Sequence, residues 1–469
     1  MLAAADALIQ QTSHHQQEET DAMSFARNEL IEQVKLTIIS HPYLDDMLDK
    51  IRAAEIPWED YKSSGLITED EVAMIKHVED KSVDDLGPIM SEHGLYYAAL
   101  YLELMQKLAR VDALQKVLIL IHDMLDGNEE RIALFHEAGK NAAEFPFEPF
   151  HKALRIGDEF IGIQSSKILT LLICSTPQRD IDIHEFFRWM TFQLQSQHQH
   201  VIELNVQILD ALFHIPAYRQ AFWKTSHAID SLVSILKNAS SRNLGPQKIY
   251  ELTFAIWLLT FDTEIAKNLD KKCQIIPTLV ELAKSAVKEK IIRVIIATFR
   301  NLIEKAPAEN MSAMLVAKLL PLCEHLATRK WTDQEIADDI EFTQTELQQN
   351  FQSLTTFEVY ASELETGMLQ WSPSHTSENF WKQNATRLNQ DNQQLLRQLT
   401  RILSTSNNPT VLAVACHDVG QYVKYNAKDG KRYLQLLGAK QRVMELMTHE
   451  DANVRYHALS STQKYFAMT

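Results

Sequence analysis

Two stretches near the C-terminal end of this chain share a layout. NPTVLAVACHDVGQYV runs from Asn408 to Val423, and HEDANVRYHALSSTQKYF runs from His449 to Phe466. A shift of 43 residues lays Val411 on Val454, Ala415 on Ala458, Cys416 on Leu459, Tyr422 on Tyr465 and Val423 on Phe466. The match is in residue type, not identity. A polar turn followed by an apolar helix, recurring at such a period, constrains the fold. One unit of this kind cannot bury both its apolar faces, so neighbours stack and share a core. Asp451 or Asn453 is placed to start the second helix, its side-chain oxygen satisfying free backbone N–H groups.

A helical period also dominates elsewhere. In NQQLLRQLTRIL, Leu395, Leu396, Leu399, Ile402 and Leu403 fall on one helical face. VDALQKVLILIHDML, KIYELTFAIWLLTF and VKEKIIRVIIATFRNLIEK behave alike, and strand alternation is nowhere sustained. With 12 Gly and 13 Pro in 469 residues, the chain has few places to turn, and its Leu-, Ala-, Glu-, Gln- and Lys-rich composition favours helix. The expected fold is all-α, an armadillo/HEAT-like helical-repeat solenoid in two domains joined by a hinge. Residues 1–352 form the first domain, with 1–24 partly irregular and 12–22 disordered. Residues 353–469 form the second, with the hinge near 350–357. A boundary candidate lies between Trp331 and Trp381, beginning with the acidic, weakly apolar segment 331–351. Gly367, the Ser372-Pro373 pair and several Ser and Thr make the stretch from 353 to about Ser377 read as loop.

Charge narrows the function. The net charge is −16, with no long basic stripe to replace phosphate counterions, which argues against nucleic acid as a partner. From Ser353 onward 12 Lys and Arg face 10 Asp and Glu, so this part carries +2 and the first 352 residues carry −18. The two parts are therefore expected to meet different partners. Cys174, Cys273, Cys323 and Cys416 are widely spaced in apolar helical contexts and read as buried reduced thiols. The N-terminus lacks the cationic start of a secretory signal, and no run of about 18 uncharged apolar residues occurs to span a membrane.

Motifs for chemistry are missing. There is no GxxxxGK[ST], HExxH, GxSxG or GxGxxG. His14-His15 and His198–His200 have no carboxylate or Cys cluster beside them in sequence and read as surface histidines. His122-Asp123 and His417-Asp418 are adjacent on helices and do not face each other as a dyad would. No catalytic residue, cofactor or metal is expected. The WxxxN ladder of armadillo carriers is absent: Trp189 is followed by Gln193, Trp223 by His227 and Trp257 by Phe261, so most Trp residues read as packing. One basic cluster stands out. Lys424, Lys428, Lys431 and Arg432, with Lys440 and Arg442 soon after, span what reads as an inter-repeat loop, and either remain solvated or dock an acidic protein surface.

Three blocks carry a resemblance. They are LQWSPSHTSENFW, VLAVACHDVG and HEDANVRYHAL, joined upstream by IPWEDYKSSGLIT, IHDMLDGNEERIALF, FAIWLLTFD, VKEKIIRVIIATFRNL and RKWTDQEIADDIEF. From about Ile56 to Leu459 the chain resembles the H-subunit family of the vacuolar-type proton-pumping ATPase. The resemblance implies a non-catalytic regulatory subunit of the cytosolic sector. It implies a bridge from a peripheral stalk of E/G type to the cytosolic part of the membrane-sector a subunit. It further implies contact with the catalytic A/B subunits and rotor, and suppressed hydrolysis, when the sectors detach. The expected location is the cytoplasmic face of vacuolar, endosomal or other acidified membranes, or the cytosol when detached. Trp371, Phe380 and Trp381 in the first block join Lys424, Lys428, Lys431 and Arg432 as candidate partner-binding residues. A stand-alone armadillo-type adaptor in membrane trafficking is the alternative. The first ~40 residues match nothing in the family, and the last helix is expected to be truncated or uncapped.

Overall fold

The computed structural model describes residues 39–467, apart from 80, 141–145, 176–182, 240–243, 354 and 427–428. The expected irregularity of 1–24 and disorder of 12–22 lie outside the described residues. Among those residues all regular structure is helical and no strand occurs, as the periodicity predicts. By compactness the chain divides into two units, 1–262 and 263–469.

In the first unit, successive long helices Val111–Leu125, Glu159–Ser175, Gln199–Phe213 and Pro246–Leu259 pack side by side. Glu159–Ser175 is buried nearly all round, including Gln164, Ser165, Ser166, Lys167 and Thr170. Part of that polarity is absorbed locally. Ser166 Oγ donates to the Ile163 carbonyl at 2.7 Å, and Thr170 Oγ1 to the Ser166 carbonyl at 2.7 Å. Buried Lys116 is satisfied in the same spirit. Its Nζ donates to the carbonyls of Arg52 (2.8 Å) and Ala54 (3.1 Å) at the end of helix Pro42–Arg52, and Glu79 lies 3.2 Å away.

The repeat is written in polar ties between residues about one period apart. In the first unit Gln115 donates to Asp158, 43 residues on, and Gln220 to Asp262, 42 on. In the second, Arg300 reaches Asp339, 39 on, and Asn310 reaches back 44 residues to the Ala266 carbonyl. Arg442 likewise reaches back 39 residues to the Leu403 carbonyl.

Within the second unit, Glu289–Lys305 buries Ile291, Ile292, Ile295, Ile296, Phe299, Leu302 and Ile303 on one stripe. Helix Gln334–Ser353 lies against it. The acidic segment that suggested a boundary is therefore a packed helix. Its Ile336, Ile340 and Leu347 enter the core, while Arg300 meets Asp339 at 2.7 Å and Arg293 meets Asp333 at 3.0 Å. The reading of 353–377 as loop is corrected. Phe357–Thr366 is a helix, with Thr356 Oγ1 accepting from the Val359 N–H at 3.2 Å and Gly367 closing it at φ 71°. Phe357, Tyr360 and Leu364 supply its buried face. Two short helices follow, Pro373–Thr376 and Glu378–Asn384, and the first packs on Pro307–Val316.

The paired stretches of the sequence become two helices, Pro409–Tyr425 and Ala452–Ala467, packed tightly together. Asp451 caps the second, its Oδ1 accepting from the N–H groups of Asn453 (2.9 Å) and Val454 (3.0 Å). Contact is close enough that a Cβ on Gly420 would lie 2.9 Å from the Ser461 Cα. Val411, Ala415, Val454 and Ala458 are all buried, as the 43-residue shift predicts. The correspondence fails at Leu459 and Phe466, which are 50% and 53% exposed, whereas Cys416 and Val423 are buried. The first helix is covered by the second, whose Leu459 and Phe466 stay exposed.

Candidate partner interface

The candidate aromatic residues lie in a short, tightly turned segment. Pro373 opens the four-residue helix, and Ser377 caps the next by accepting from the Phe380 N–H at 3.2 Å. These turns carry His375 into the core, where it is fully buried. Its Nδ1 lies 2.7 Å from Asp418 Oδ2 and its Nε2 lies 2.6 Å from Glu363 Oε2. The Tyr360 hydroxyl donates to the same Asp418 oxygen at 3.2 Å. Burial alone disfavours the imidazolium, but the Asp418 charge and the hydrogen bonds to Asp418 and Glu363 outweigh it and raise His375 to about 9. The group ties helices Phe357–Thr366, Pro373–Thr376 and Pro409–Tyr425 together.

Phe380 and Trp381 belong to this core and not to a docking face. They are 3% and 0% exposed, packed on Tyr360 with ring centroids 5.3 and 5.4 Å away. The Trp381 indole N–H donates to the His375 carbonyl at 2.8 Å, so its polar edge is satisfied inside the protein. As folded they offer no surface to a partner, which corrects their place among the candidates. Trp371 is half-buried. It sits over His417 and His457, with centroids at 5.2 and 4.7 Å. Burial, then the neighbouring Lys464 charge and His457, hold His417 down at about 3.

The basic cluster is only partly loop. Lys424 closes helix Pro409–Tyr425, whereas Lys431 and Arg432 lie in the first turn of helix Gly430–Leu436. Lys428 lies outside the described residues. The Lys424 ammonium pairs with Glu378 at 3.0 Å, so much of its charge is engaged within the chain. Arg432 is exposed, within 3.6 Å of Asp429 and stacked near Tyr433. Lys431 and Lys440 both approach the ring of Tyr465, at 5.4 and 4.8 Å. Beside them the last helix leaves Leu459 and Phe466 open to solvent. Exposed charge beside open apolar residues suits charge-steered protein contact.

Sequence reasoning missed Glu363, and it considered Asp418 only beside His417, not as the partner of His375. His375 and Asp418 are 43 residues apart, one repeat, which is the signal that could have paired them.

Comparison with known proteins turns the resemblance into a result. The family models described as the H subunit of V-ATPase match residues 42–347 with the N-terminal part and 353–469 with the C-terminal part. This chain belongs to the V-ATPase H-subunit family. It is 34% identical over 423 residues to the V-type proton ATPase H subunit of Drosophila melanogaster, covering 88% of each chain. It is 30% identical over 440 residues to the probable V-type proton ATPase H subunit of Oryza sativa subsp. japonica, covering 89% of this chain and 96% of that one. Membership of the H-subunit family places the chain in the context of proton transport and of a multi-subunit complex. Among the described residues no helix is long and apolar enough to cross a membrane.

Proposed function

We propose that this chain is a non-catalytic regulatory and structural subunit of the V-ATPase cytosolic sector. It links the E/G peripheral stalk to the cytosolic domain of the membrane-sector a subunit and supports coupled, ATP-driven proton pumping. When the sectors separate, its C-terminal domain bears on the catalytic A/B subunits and rotor and suppresses ATP hydrolysis. It works on the cytoplasmic face of acidified compartments as a peripheral component, or free in the cytosol. The observation that carries this reading is the match to both parts of the H-subunit family across nearly the whole described chain.

Three features support it. Helical repeats give stiff bodies with broad contact surfaces. The break between the two matched regions, 348–352, falls at the C-terminal end of helix Gln334–Ser353, and only residues 354–356 separate that helix from Phe357–Thr366, so a hinge near 350–357 has a short connection to act on. The two regions differ in charge, as expected of bodies with separate partners.

The test is to add the full chain to detached cytosolic sectors and measure ATP hydrolysis. Hydrolysis should fall, and a chain lacking 353–469, checked for helicity, should bind the stalk without suppressing. Unchanged hydrolysis with the full chain would sink the reading. Replacing Lys428, Lys431 and Arg432 by Glu should weaken one docking contact and flatten its salt dependence. If both stay the same, the cluster is merely solvated.

A further inference from the structure

Glu159 is the first residue of helix Glu159–Ser175, and His198 and His200 sit at the start of helix Gln199–Phe213. The two helices pack against each other, which brings a carboxylate 39 and 41 residues upstream onto the histidine pair. His198 Nδ1 lies 2.5 Å from Glu159 Oε2, and His200 Nε2 lies 2.6 Å from Glu159 Oε1. His198 occupies the N-cap position without capping; its ring is turned to the carboxylate instead.

We propose that Glu159, His198 and His200 form a site for a borderline divalent metal ion of the Zn²⁺ type, with one coordination position open to water or an external donor. Two imidazole nitrogens and a carboxylate oxygen are the donor set such ions prefer, and three protein ligands leave a fourth position free. All three ligand atoms lie within 4.8 Å of one another. On a tetrahedral ion with bonds of about 2.1 Å they would stand roughly 3.4 Å apart, so side-chain rotation suffices to close the set. The ion would take the place of the hydrogens now shared between the rings and the carboxylate.

A supporting shell is already built. The Tyr43 hydroxyl faces the Glu159 charge, and the Tyr43 ring stacks on His200 with centroids 3.9 Å apart and planes at 25°. Tyr43 is itself placed by His41, whose Nδ1 accepts from the Tyr43 N–H at 3.0 Å while its Nε2 faces Glu203 at 3.4 Å. Such outer partners fix ligand orientation. The site is also accessible: Glu159, His200 and His198 side chains are 30%, 22% and 63% exposed. Two helix N-termini meet here and disfavour a cation, which weakens its binding. Asp158, engaged in capping the Ile161 N–H at 2.9 Å, adds negative charge next door and offsets part of that.

Titration of the full, untagged chain with Zn²⁺ by calorimetry and with Co²⁺ by visible absorption tests the assignment. To remove a competing pair, His14 and His15 are replaced by Ala in every sample. One equivalent should bind with micromolar affinity, and Co²⁺ should give ligand-field bands of a nitrogen-containing site. Glu159→Gln and His200→Ala should each weaken binding tenfold or more, while His41→Ala should weaken it less. No binding below millimolar metal overturns the proposal. So does equal binding in the Glu159 and His200 variants, with circular dichroism showing that they fold.

Discussion

His375→Gln should weaken the packing of the C-terminal helices and remove most of a specific pH dependence. In the native protein both ring nitrogens face carboxylates at 2.6–2.7 Å with no solvent exposure. The surroundings raise the imidazole from its ordinary 6.5 to about 9. A raised histidine contributes its full stabilisation below the ordinary value and loses it as pH climbs through the folded one. The window is therefore about pH 6.5 to 9. At roughly 1.4 kcal/mol for each tenfold change in proton affinity, the loss across the window is about 3 kcal/mol. Gln keeps a donor for one carboxylate but brings no charge, leaving Asp418 buried beside only the Tyr360 hydroxyl. Removing one partner of a buried pair costs about 3–5 kcal/mol. Peptide-resolved hydrogen exchange of the full chain, corrected for intrinsic exchange, reads the opening of 357–366, 373–384 and 409–425 at pH 6.5 and pH 9.5. Wild type should open more easily by about 3 kcal/mol at the higher pH, and His375→Gln should be destabilised at pH 6.5 and nearly flat thereafter. A variant with wild-type protection at pH 6.5, or with undiminished pH dependence, would refute the account of His375 as a buried imidazolium.

Gly420→Val should destabilise the same region by about 1–3 kcal/mol in urea unfolding, since the new side chain meets the Ser461 backbone and cannot be accommodated by a rotamer change; a midpoint within error of wild type would show that the two helices can part without cost. Cys416 is fully buried and burial pushes its thiol up to about 12, so it should resist alkylation at pH 8 until the chain unfolds. Mass spectrometry showing its modification at the rate of a free thiol would contradict that burial.

The fold was legible in the chain to the extent that it is local. Apolar residues at helical spacing report a buried face whatever lies opposite, so Glu289–Lys305 and Pro409–Tyr425 could be read directly. The segments that misled were those whose burial depends on distant residues. Helix Gln334–Ser353 reads only as acidic and weakly apolar until Arg293 and Arg300, about one repeat upstream, are placed against Glu335 and Asp339. Trp381 looks like an exposed aromatic in a Ser- and Pro-rich loop until the His375 carbonyl is seen accepting its indole N–H. The same physics explains why the polar clusters were invisible. Glu159 with His198 and His200, and His375 with Asp418, are each split across one period of the repeat, so no contiguous motif contains them. In a helical-repeat protein, residues meet along the stacking direction, and a motif search should therefore run at offsets of the repeat length as well as at offsets of three and four. Applied here, the 43-residue shift that aligned Val411 with Val454 also carries His375 onto Asp418, and the LQWSPSH block then reads as half of a buried ion pair whose other half is the HD of VACHDVG.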